Sequence, residues 1–386
     1  MDTAGMTGGA VTVDRVEGSA ALRRFIRLQH ELMRGDAAFI PPLLIERRAA
    51  LSPRRNPWFR HGEAAFWIAR RNGRDMGRIS AQEDRLALEA NGERLAHFGL
   101  LAGVDDPAVF AALLGEAEAW ARARGLGRIR GPFSLSINEQ AGLLVDGFHS
   151  PPMLMMPHDP PYAAQHLENL GYLKARDLLA YIASTEGRLP EVATRVVERG
   201  LPKGVTLRPM RRAQLAEDIA ALIGIFNEAW AMNWGFVAFT PEEVTHLARE
   251  MKPLLHERLV WFAEVEARPV AFAVCLPNLN EAIRDLEGRL LLLGWARLLW
   301  RLKLRGVTTA RVPLMGVRPD VAHGLFGRVL PLFLVEKLRR EALAMGIQRV
   351  EISWVLEDNM PMRRLAEALG AVPYKTYRVY EKALAA

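Results

Sequence analysis

The chain of 386 residues is 50% hydrophobic and 25% charged, and it carries a formal net charge of +7. This length predicts two hydrophobic cores, and this composition excludes an intrinsically disordered protein. The positive charge favours anionic partners such as a phosphorylated cofactor, an acidic membrane surface or nucleic acid. Because the basic residues are spread along the chain and no nucleic-acid-binding signature is present, nucleic acid is not an expected partner.

The first half of the chain is predicted to alternate helices and strands. The elements, in order, are a helix at 20–34, strands at 64–69, 75–80 and 97–104, a helix at 107–124, a strand at 128–136, a helix at 162–170 and a strand at 175–182. Asn72-Gly73, between the first two strands, is a strong hairpin signal. Gly125 and Gly171 follow the two later helices, and glycine commonly ends a helix.

The second half repeats this order. Its elements are a helix at 212–232, strands at 259–265, 269–276 and 310–317, a helix at 327–345, a strand at 349–355, a helix at 361–369 and a strand at 374–381. A repeat far longer than 50 residues indicates two domains of one fold and not a solenoid. We expect an N-terminal domain at 1–188, a linker at 189–204 and a C-terminal domain at 205–386.

Single residue types exclude several kinds of site. The one cysteine, Cys275, cannot form an internal disulfide, and its apolar surroundings favour a buried, inert thiol over a nucleophile. The nine histidines are scattered without zinc spacing, so no metal is expected. No apolar signal core opens the chain, which predicts a cytoplasmic protein with flexible residues at 1–10.

The segment from Glu351 to Gly370 is the most informative part of the chain. A β-rich run ends at Glu357-Asp358-Asn359, a helix follows and stops at Gly370, and a last strand closes the chain. This order resembles the closing segment of the GNAT acyltransferase family, in which a splayed strand and the following helix hold acyl-coenzyme A. The resemblance implies an α/β (α+β) fold of two tandem GNAT-like domains, each a mixed, mostly antiparallel sheet flanked by helices.

Further motifs resemble a bacterial subgroup of tandem GNAT-like proteins that includes the bacterial ceramide synthases. These motifs are 56–61 (NPWFRH), 130–134 (RGPFS), 138–139 (NE), 142–148 (GLLVDGF) and 353–359 (SWVLEDN). The resemblance implies an N-acyltransferase that joins a fatty acyl chain from a thioester to a lipid-like, sphingoid-type amine; acyl-CoA is the expected donor, and a carrier-protein thioester is the alternative. Two alternatives stay open: an acyltransferase for a soluble amine, and a non-catalytic protein that binds acyl-CoA or lipid.

The family binds the cofactor pyrophosphate with a loop of the form Arg/Gln-x-x-Gly-x-Gly at a helix start, where backbone N–H groups and the helix dipole attract phosphate. The matching segment here is 317–328, in which Ala322 and Leu325 depart from the pattern. The resemblance assigns cofactor contacts to Val317, Gly324, Gly327, Arg328 and Asn359. The alternatives are an ordinary strand–loop–helix junction and, for Asn359, a helix N-cap.

The matching junction of the first half carries Asp105 and Asp106 before Pro107. Two carboxylates cap a helix well but would repel a pyrophosphate. The cofactor site is therefore expected in the second half only.

The family tyrosine that protonates the leaving thiolate is absent, because Ala366 and Leu167 occupy its places in the two halves. Tyr377 or Tyr380 in the last strand would have to supply this acid, although both are also good packing residues for a strand.

For the base we favour Glu351, which shares one strand face with Ser353 by the period of two and lies in an apolar strand. Glu357 and Asp358 at the end of the strand are alternatives, and Glu139 beside Asn138 is the equivalent in the first half.

The insertion at 142–161 separates Asn138 and Glu139 from the next helix. It carries Met153, Met155 and Met156, and methionine-rich loops adapt to varied apolar ligands. A wall for an acyl chain or a lipid base is one interpretation, and a loop packed between the domains is the other.

Residues 289–305 combine an apolar helical face with a basic stripe. The face comprises Leu291, Leu292, Trp295, Leu298, Leu299 and Leu302, and the stripe comprises Arg297, Arg301 and Arg305. The segment is too short and too charged to span a bilayer, so it predicts an interfacial helix and a protein peripheral at the inner membrane. A buried helix between domains is the alternative.

Overall fold

The structure, a computed structural model, describes residues 9–87, 92, 94–187, 189–252, 255–290, 292–322, 324 and 327–385, without the side chains of 292, 293, 303 and 304. The chain divides into two compact units. Unit 1 comprises residues up to Asp177 together with those from Tyr377 onward, and unit 2 comprises Leu178–Thr376. Residues 1–8 of the predicted flexible terminus and Leu291 lie outside the described residues.

Unit 1 contains the following elements. In chain order they are β1 (Thr12–Arg15), α1 (Gly18–Leu32), α2 (Leu44–Ala50), a 3₁₀ helix (Pro57–Arg60), β2 (Gly62–Arg71), β3 (Arg74–Asp84), β4 (Ala96–Gly103), α3 (Pro107–Arg122), β5 (Arg128–Gly131), β6 (Phe133–Ser134), β7 (Ser136–Ala141), β8 (Leu143–Asp146), α4 (Tyr162–Asn169) and the start of β9 (Leu173–Ser184).

Unit 2 continues from the rest of β9. Its elements are α5 (Glu191–Glu198), β10 (Val205–Pro209), a 3₁₀ helix (Arg212–Gln214), α6 (Leu215–Trp230), α7 (Pro241–Met251), a 3₁₀ helix (Glu257–Leu259), β11 (Val260–Val265), β12 (Arg268–Pro277), α8 (Leu279–Ile283), α9 (Leu292–Trp300), a π-helical turn (Arg301–Arg305), β13 (Thr309–Val317), α10 (Pro319–Ala322), α11 (Leu330–Ala344), β14 (Arg349–Leu356), α12 (Met360–Ala368) and the start of β15 (Val372–Ala383).

The sheet of unit 1 has the order β1-β2-β3-β4-β5, followed by the end of β15. Its pairs are antiparallel except β4 with β5, which is parallel. The predicted hairpin is confirmed: Asn72 and Gly73 join β2 to β3 with φ of 51° and 74°. Helix α3 covers one face, where its Leu113 lies in one hydrophobic cluster with Trp67 of β2, and α1 covers the other face with Phe25.

The sheet of unit 2 has the order β14-β13-β12-β11-β10, preceded by the end of β9. Here too one pair, β13 with β14, is parallel and the others are antiparallel. Leu334 and Leu338 of α11 pack on this sheet beside the buried Cys275. Burial raises the pKa of the Cys275 thiol to about 12, as expected of an inert cysteine.

The last strand of each repeat completes the sheet of the other unit. The residues of β9 from Leu178 to Ser184 pair with β14 in unit 2. The residues of β15 from Tyr380 to Ala383 pair with β5 in unit 1. The chain therefore leaves unit 1 within β9 and returns to it within β15.

Most predicted elements are confirmed to within a few residues, but the single strand at 128–136 is wrong. Strand β5 ends at Gly131, and after Pro132 the chain forms the β6–β7 hairpin, which places Asn138 in a strand. Proline has no N–H group and cannot continue a ladder of hydrogen bonds. The predicted helix at 361–369 is confirmed as α12, which Asn359 caps and Gly370 ends with a φ of 76°.

Candidate active site

A cleft opens in unit 2 where the parallel strands β13 and β14 diverge. Their register pairs run only from Thr309 with Arg349 to Val312 with Ile352. Beyond that point a cavity of about 200 Å³ lies between them. Because diverging strands leave backbone N–H and C=O groups without a strand partner, such a cleft can bind an extended ligand through the main chain.

Helix ends form the remaining walls of this cleft. They contribute Trp230 at the end of α6, Asn233 after it, Pro331 at the start of α11, and Asn359 and Met362 at the start of α12. Trp230 Nε1 donates to the carbonyl of Met315, 3.1 Å away, which anchors α6 to β13. Asn359 Oδ1 accepts a hydrogen bond of 3.2 Å from the Met362 N–H. Asn359 therefore caps α12 and also lines the cleft.

A buried polar network lies behind the β14 wall. Ser353, which lines the cleft, donates its Oγ proton to Glu351 Oε1, and Tyr374 donates its hydroxyl proton to Glu351 Oε2. Arg311 Nε donates to Ser353 Oγ over 2.8 Å and lies 3.4 Å from Glu351 Oε1. Glu351 is 0% exposed, so its carboxylate is held entirely by protein groups.

The network is fixed further by charge and by aromatic packing. The Arg311 guanidinium lies 4.7 Å from the centre of the Trp354 ring. Burial, followed by the Glu351 charge, raises the pKa of Tyr374 far above its usual range. Tyr374 therefore stays protonated and acts as a hydrogen-bond donor at neutral pH.

The predicted phosphate loop lies between α10 and α11. Gly327 is packed so closely that a Cβ atom there would lie 2.1 Å from the Val321 carbonyl oxygen. Helix α11 begins at Leu330 without a side-chain cap; Pro331 has no N–H group, and the Leu332 and Phe333 N–H groups donate to the Val329 carbonyl over 3.1 and 3.3 Å. Gly324 and the exposed Arg328 lie in this loop, whereas His323, Leu325 and Phe326 lie outside the described residues.

The matching place in unit 1 is closed. The side chain of Asp106 accepts a hydrogen bond of 2.9 Å from the Ala108 N–H at the start of α3, and it pairs with Arg71. A Cβ atom on Gly99 of β4 would lie 1.5 Å from the Phe133 carbonyl oxygen of β6. This backbone contact leaves no room for a ligand between β4 and β6.

The tyrosines predicted as acid lie in unit 1, and the cleft lining in the described part of unit 2 contains neither. Tyr377 and Tyr380 are both fully buried. Tyr380 donates its hydroxyl proton to Glu168 over 2.9 Å, and burial together with this bond raises its pKa above the usual range. The acid role of either residue stays a prediction.

The other predicted site residues are distributed between the units. In unit 2, Val317 ends β13 and lines the cleft, and the Glu357 carbonyl accepts a hydrogen bond from Arg363. Asp358 is exposed. The predicted substrate residues lie in unit 1: half-buried Asn138 and Glu139 on β7, buried Met153 and Met156, and half-buried Met155 with a φ of 63°.

Arg311, Tyr374, Trp230 and Asn233 were missed by the sequence analysis. A signal existed for Arg311, because a charged residue inside the apolar strand β13 requires a buried partner. In the parallel register that partner is Glu351. No comparable signal identifies Trp230 or Asn233, which reach the cleft only through the packing of α6 on β13.

Comparison with known proteins places the chain among acyltransferases. No model of a known protein family matches the chain. The chain is 49% identical over 379 residues to the bacterial ceramide synthase of Caulobacter vibrioides (strain NA1000 / CB15N), covering 98% of this chain and 99% of the relative. It is 45% identical over 361 residues to Protein YghO of Escherichia coli (strain K12), covering 94% and 92%.

Solved structures share the fold at low sequence identity. A tandem GNAT protein from the clavulanic acid biosynthesis pathway matches with a TM-score of 0.56 and 14% identity, over 97% of this chain and 99% of that one. A GCN5-related N-acetyltransferase from Sphaerobacter thermophilus matches with a TM-score of 0.55 and 12% identity, over 97% and 96%. These likenesses confirm the predicted tandem GNAT fold.

Proposed function

The chain belongs to the family of tandem GNAT-like acyltransferases that includes the bacterial ceramide synthase of Caulobacter vibrioides, and we propose that it joins a fatty acyl chain to a sphingoid-type amine. It is an N-acyltransferase by family and fold. The observation that carries the choice of a lipid-like acceptor is the 49% identity to a ceramide synthase over nearly the full length of both chains.

The proposed acyl donor is acyl-CoA, bound in unit 2. The cleft between β13 and β14 would hold the thioester and the adjoining pantetheine arm, with Val317 on one side and Asn359 at its end. Gly327 and Arg328, just before the start of α11, would hold the pyrophosphate, because the positive end of the helix dipole and a cation attract it. The closed junction of unit 1, with its carboxylates, supports a single donor site.

The proposed base is Glu351. The amine nitrogen attacks the thioester carbonyl, the C–N bond forms, the C–S bond breaks, and the amine must lose a proton. Backbone N–H groups on the diverging strands would stabilise the negative charge that develops on the carbonyl oxygen. Glu351 is the carboxylate connected to the cleft, through Ser353.

The acceptor is proposed to reach the protein from an anionic membrane. No helix in the described part of the chain is long and apolar enough to cross a membrane. On α9, however, Trp295, Leu299 and Trp300 are 51%, 49% and 51% exposed, and we call these three residues the α9 patch. The patch adjoins the exposed Arg297. Apolar side chains beside a cation, on a chain of net charge +7, suit an anionic bilayer surface.

Part of the predicted basic and apolar pattern has another role. Leu298 is 5% exposed and packs inward. Arg301 pairs with Asp285 and donates to the Ala282 carbonyl over 2.7 Å. The membrane contact is therefore proposed for the α9 patch with Arg297, not for the whole segment 289–305.

One experiment separates the proposal from its alternatives. Purified protein is incubated with a long-chain acyl-CoA and either a sphingoid base in mixed micelles or a panel of amino acids and amino sugars. Amide products are measured by mass spectrometry and free thiol by a colorimetric assay. We expect amide and thiol in equal amounts with the sphingoid base. Turnover with soluble amines alone would contradict the lipid acceptor, and acyl-CoA binding without thiol release would indicate a non-catalytic binding protein.

A further inference from the structure

We propose that Asn233 selects the acceptor by binding its reacting amine together with a hydroxyl group on the neighbouring carbon. The inference rests on the proposed acyl transfer and deepens it, because it names the chemistry that the cleft recognises, a 1,2-amino alcohol and not a simple alkylamine. It is carried by one observation. Half-buried Asn233 lines the cleft, and its side-chain amide makes no hydrogen bond to any residue that the structure describes.

The cleft reaches from one face of the unit 2 sheet to the other. Met315 and Val317 of β13 pack on the hydrophobic cluster that contains Leu334 of α11. Gly316, between them, faces the opposite way, because a Cβ atom there would lie 3.4 Å from the Ala229 Cβ atom of α6. Helices α6 and α11 therefore cover opposite faces, and both contribute to the cleft lining.

The two substrates are expected to meet from these opposite faces. The proposed pyrophosphate site at Gly327 and Arg328 lies just before α11, which assigns the donor to the α11 face. The α6 face is left for the acceptor. Asn233 follows the end of α6, so it lies on the face from which the amine would arrive.

The turn after α6 holds Asn233 in place. Its N–H group donates to the Trp230 carbonyl over 2.8 Å, and its carbonyl accepts from the Phe236 N–H group over 3.2 Å. Trp230 is itself bonded to the Met315 carbonyl, and the rings of Trp230 and Phe236 pack on the buried Phe226, with centroids 4.9 and 5.7 Å from its own. Because both main-chain groups of Asn233 are bonded within the turn, its side chain is the part left for a ligand.

Asn233 carries the one side-chain carbonyl that the described cleft lining leaves open to a ligand. Asn359 uses its Oδ1 to cap α12, and Trp230 and Trp354 carry only N–H donors. Ser353 is 2% exposed and is bonded within the buried network. An amine nucleophile keeps its lone pair for the thioester carbon, so its N–H groups need an acceptor. Asn233 Oδ1 can supply that acceptor.

The second half of the amide gives the selection. A carboxamide presents an acceptor and a donor side by side. When Oδ1 of Asn233 accepts from the amine, Nδ2 is placed to donate to an atom beside that amine. A hydroxyl oxygen on the neighbouring carbon is such an atom, as in a sphingoid base. An alkylamine offers none, so the Nδ2–H group stays unpaired, and a site built for a hydroxyl group disfavours the analogue that lacks it.

The test compares a long-chain 1,2-amino alcohol with the alkylamine of the same chain length, with one acyl-CoA as the donor. The wild-type protein should prefer the amino alcohol in kcat/KM by about 2- to 10-fold, the contribution of a neutral hydrogen bond. Asn233→Leu keeps a similar size but has no hydrogen-bonding group, so this ratio should fall to about 1. Calorimetric affinity for coenzyme A should stay near the wild-type value. If Asn233→Leu does not fold, Asn233→Ala takes its place.

Asn227 provides the structural control. Its amide holds the Phe239 main chain through bonds of 3.2 and 3.4 Å, and it is not among the described residues that line the cleft. Asn227→Leu loosens the same segment, so it should change the rates on both acceptors by one factor and keep the wild-type ratio. A merely structural role of Asn233 would have this effect too, which is why the ratio and not the rate is decisive.

The outcomes separate this inference from the proposed function. A wild-type ratio of about 1, or an unchanged ratio in folded Asn233→Leu, overturns the role of Asn233 while acyl transfer stands. If only soluble amines are acylated, the sphingoid acceptor is overturned, and the ratio is measured with a short amino alcohol and the alkylamine of equal length. If no amine is acylated, both proposals are overturned.

Discussion

Arg311 and Glu351 face each other across two parallel strands as register partners, with Arg311 Nε 3.4 Å from Glu351 Oε1. Both side chains are buried. The next pair, Val312 with Ile352, is the last before the strands diverge. This buried ion pair therefore lies at the closed end of the cleft, where it holds the two strands together beside the point at which they separate.

The first prediction concerns the stability that depends on this ion pair. Arg311→Met leaves the Glu351 carboxylate buried without its cation, which typically costs about 3–5 kcal/mol. We expect the urea midpoint of unfolding to fall strongly. The matched control is Arg195→Met, because Arg195 and Glu191 are exposed and such pairs contribute about 0–1 kcal/mol. Equal losses in the two variants would contradict the buried role of Arg311.

The second prediction concerns the base. Glu351→Gln keeps the size of the side chain but cannot accept a proton, so turnover should fall by about 10²-fold or more while affinity for coenzyme A stays near normal. Steady-state kinetics and calorimetry measure the two quantities. Glu357→Gln is the comparison. A wild-type rate in Glu351→Gln would move the role to Glu357, Asp358 or Glu139.

The third prediction concerns the cofactor loop. Arg328→Glu places a carboxylate beside the proposed pyrophosphate site, and the loss of a charged hydrogen bond of about 1.5–3 kcal/mol corresponds to roughly 10- to 100-fold weaker binding. Calorimetric titration with coenzyme A measures it. Arg212→Glu changes the net charge equally, at a side chain 67% exposed in the 3₁₀ helix before α6, and should bind normally. Unchanged affinity in a folded Arg328→Glu protein would exclude this loop as the anion site.

The fourth prediction concerns the membrane. Replacing Trp295, Leu299 and Trp300 together by alanine removes the side chains proposed to enter the bilayer, each contributing up to about 1.5–3 kcal/mol when fully buried. Sedimentation with vesicles of anionic phospholipid should show at least 10-fold weaker binding by this estimate. Activity on a short, dispersed amine should remain.

The control for the membrane prediction uses apolar residues elsewhere in the chain that are more exposed than those of the α9 patch. Leu173, Val192 and Val372 are 71%, 69% and 57% exposed, and their triple alanine variant should bind vesicles as the wild type does. Arg297→Glu should weaken binding more at low salt than at high salt, because salt screens surface charges. If the control variant loses binding as strongly as the α9 variant, the α9 patch is not the membrane site.

The fifth prediction concerns the pH dependence of stability in unit 1. Burial raises the pKa of Asp159 to about 7. Because the folded protein holds this proton more tightly than the unfolded chain, whose aspartate pKa is about 3.9, the stabilisation is complete below pH 4 and is lost as the pH rises to 7. Asp159→Asn can still accept the hydrogen bond from the Leu144 N–H, and it cannot titrate.

As the pH rises from 4 to 7, the free energy of unfolding of Asp159→Asn should therefore increase relative to that of the wild type, by up to about 1.4 kcal/mol per pH unit. Urea unfolding at four pH values measures this difference. Asp14→Asn, at a side chain 58% exposed, is the control and should follow the wild type. Parallel curves for Asp159→Asn and the wild type would show that Asp159 is ionised in the folded protein.

The order of elements could be predicted because its signals are local. Asn72-Gly73 specifies a hairpin. Asn359 begins a helix and Gly370 ends it, and these two signals do not depend on the sheet against which the helix packs. The exchange of closing strands has no such signal, because an alternating strand has the same pattern in either sheet. The break after Gly131 does have a local signal, because Pro132 follows it.

Only part of the candidate site could be predicted, because only part of it has local sequence signals. Glu351 and Asn359 were identified because they lie within one short motif. The contacts of Glu351 with Arg311 and Tyr374 depend on strands that are distant in sequence and on which of them run parallel. Residues on α6 reach the cleft through tertiary packing, which local patterns do not encode.

The position of β15 has a consequence for how the protein is made. On the ribosome, β5 is synthesised before unit 2, but its partner residues, from Tyr380 to Ala383, emerge only after unit 2. Until then the edge of the nascent unit 1 sheet is open, and open edges pair readily with other chains. A gene fragment that encodes the first half alone would lack this strand and would leave the edge open.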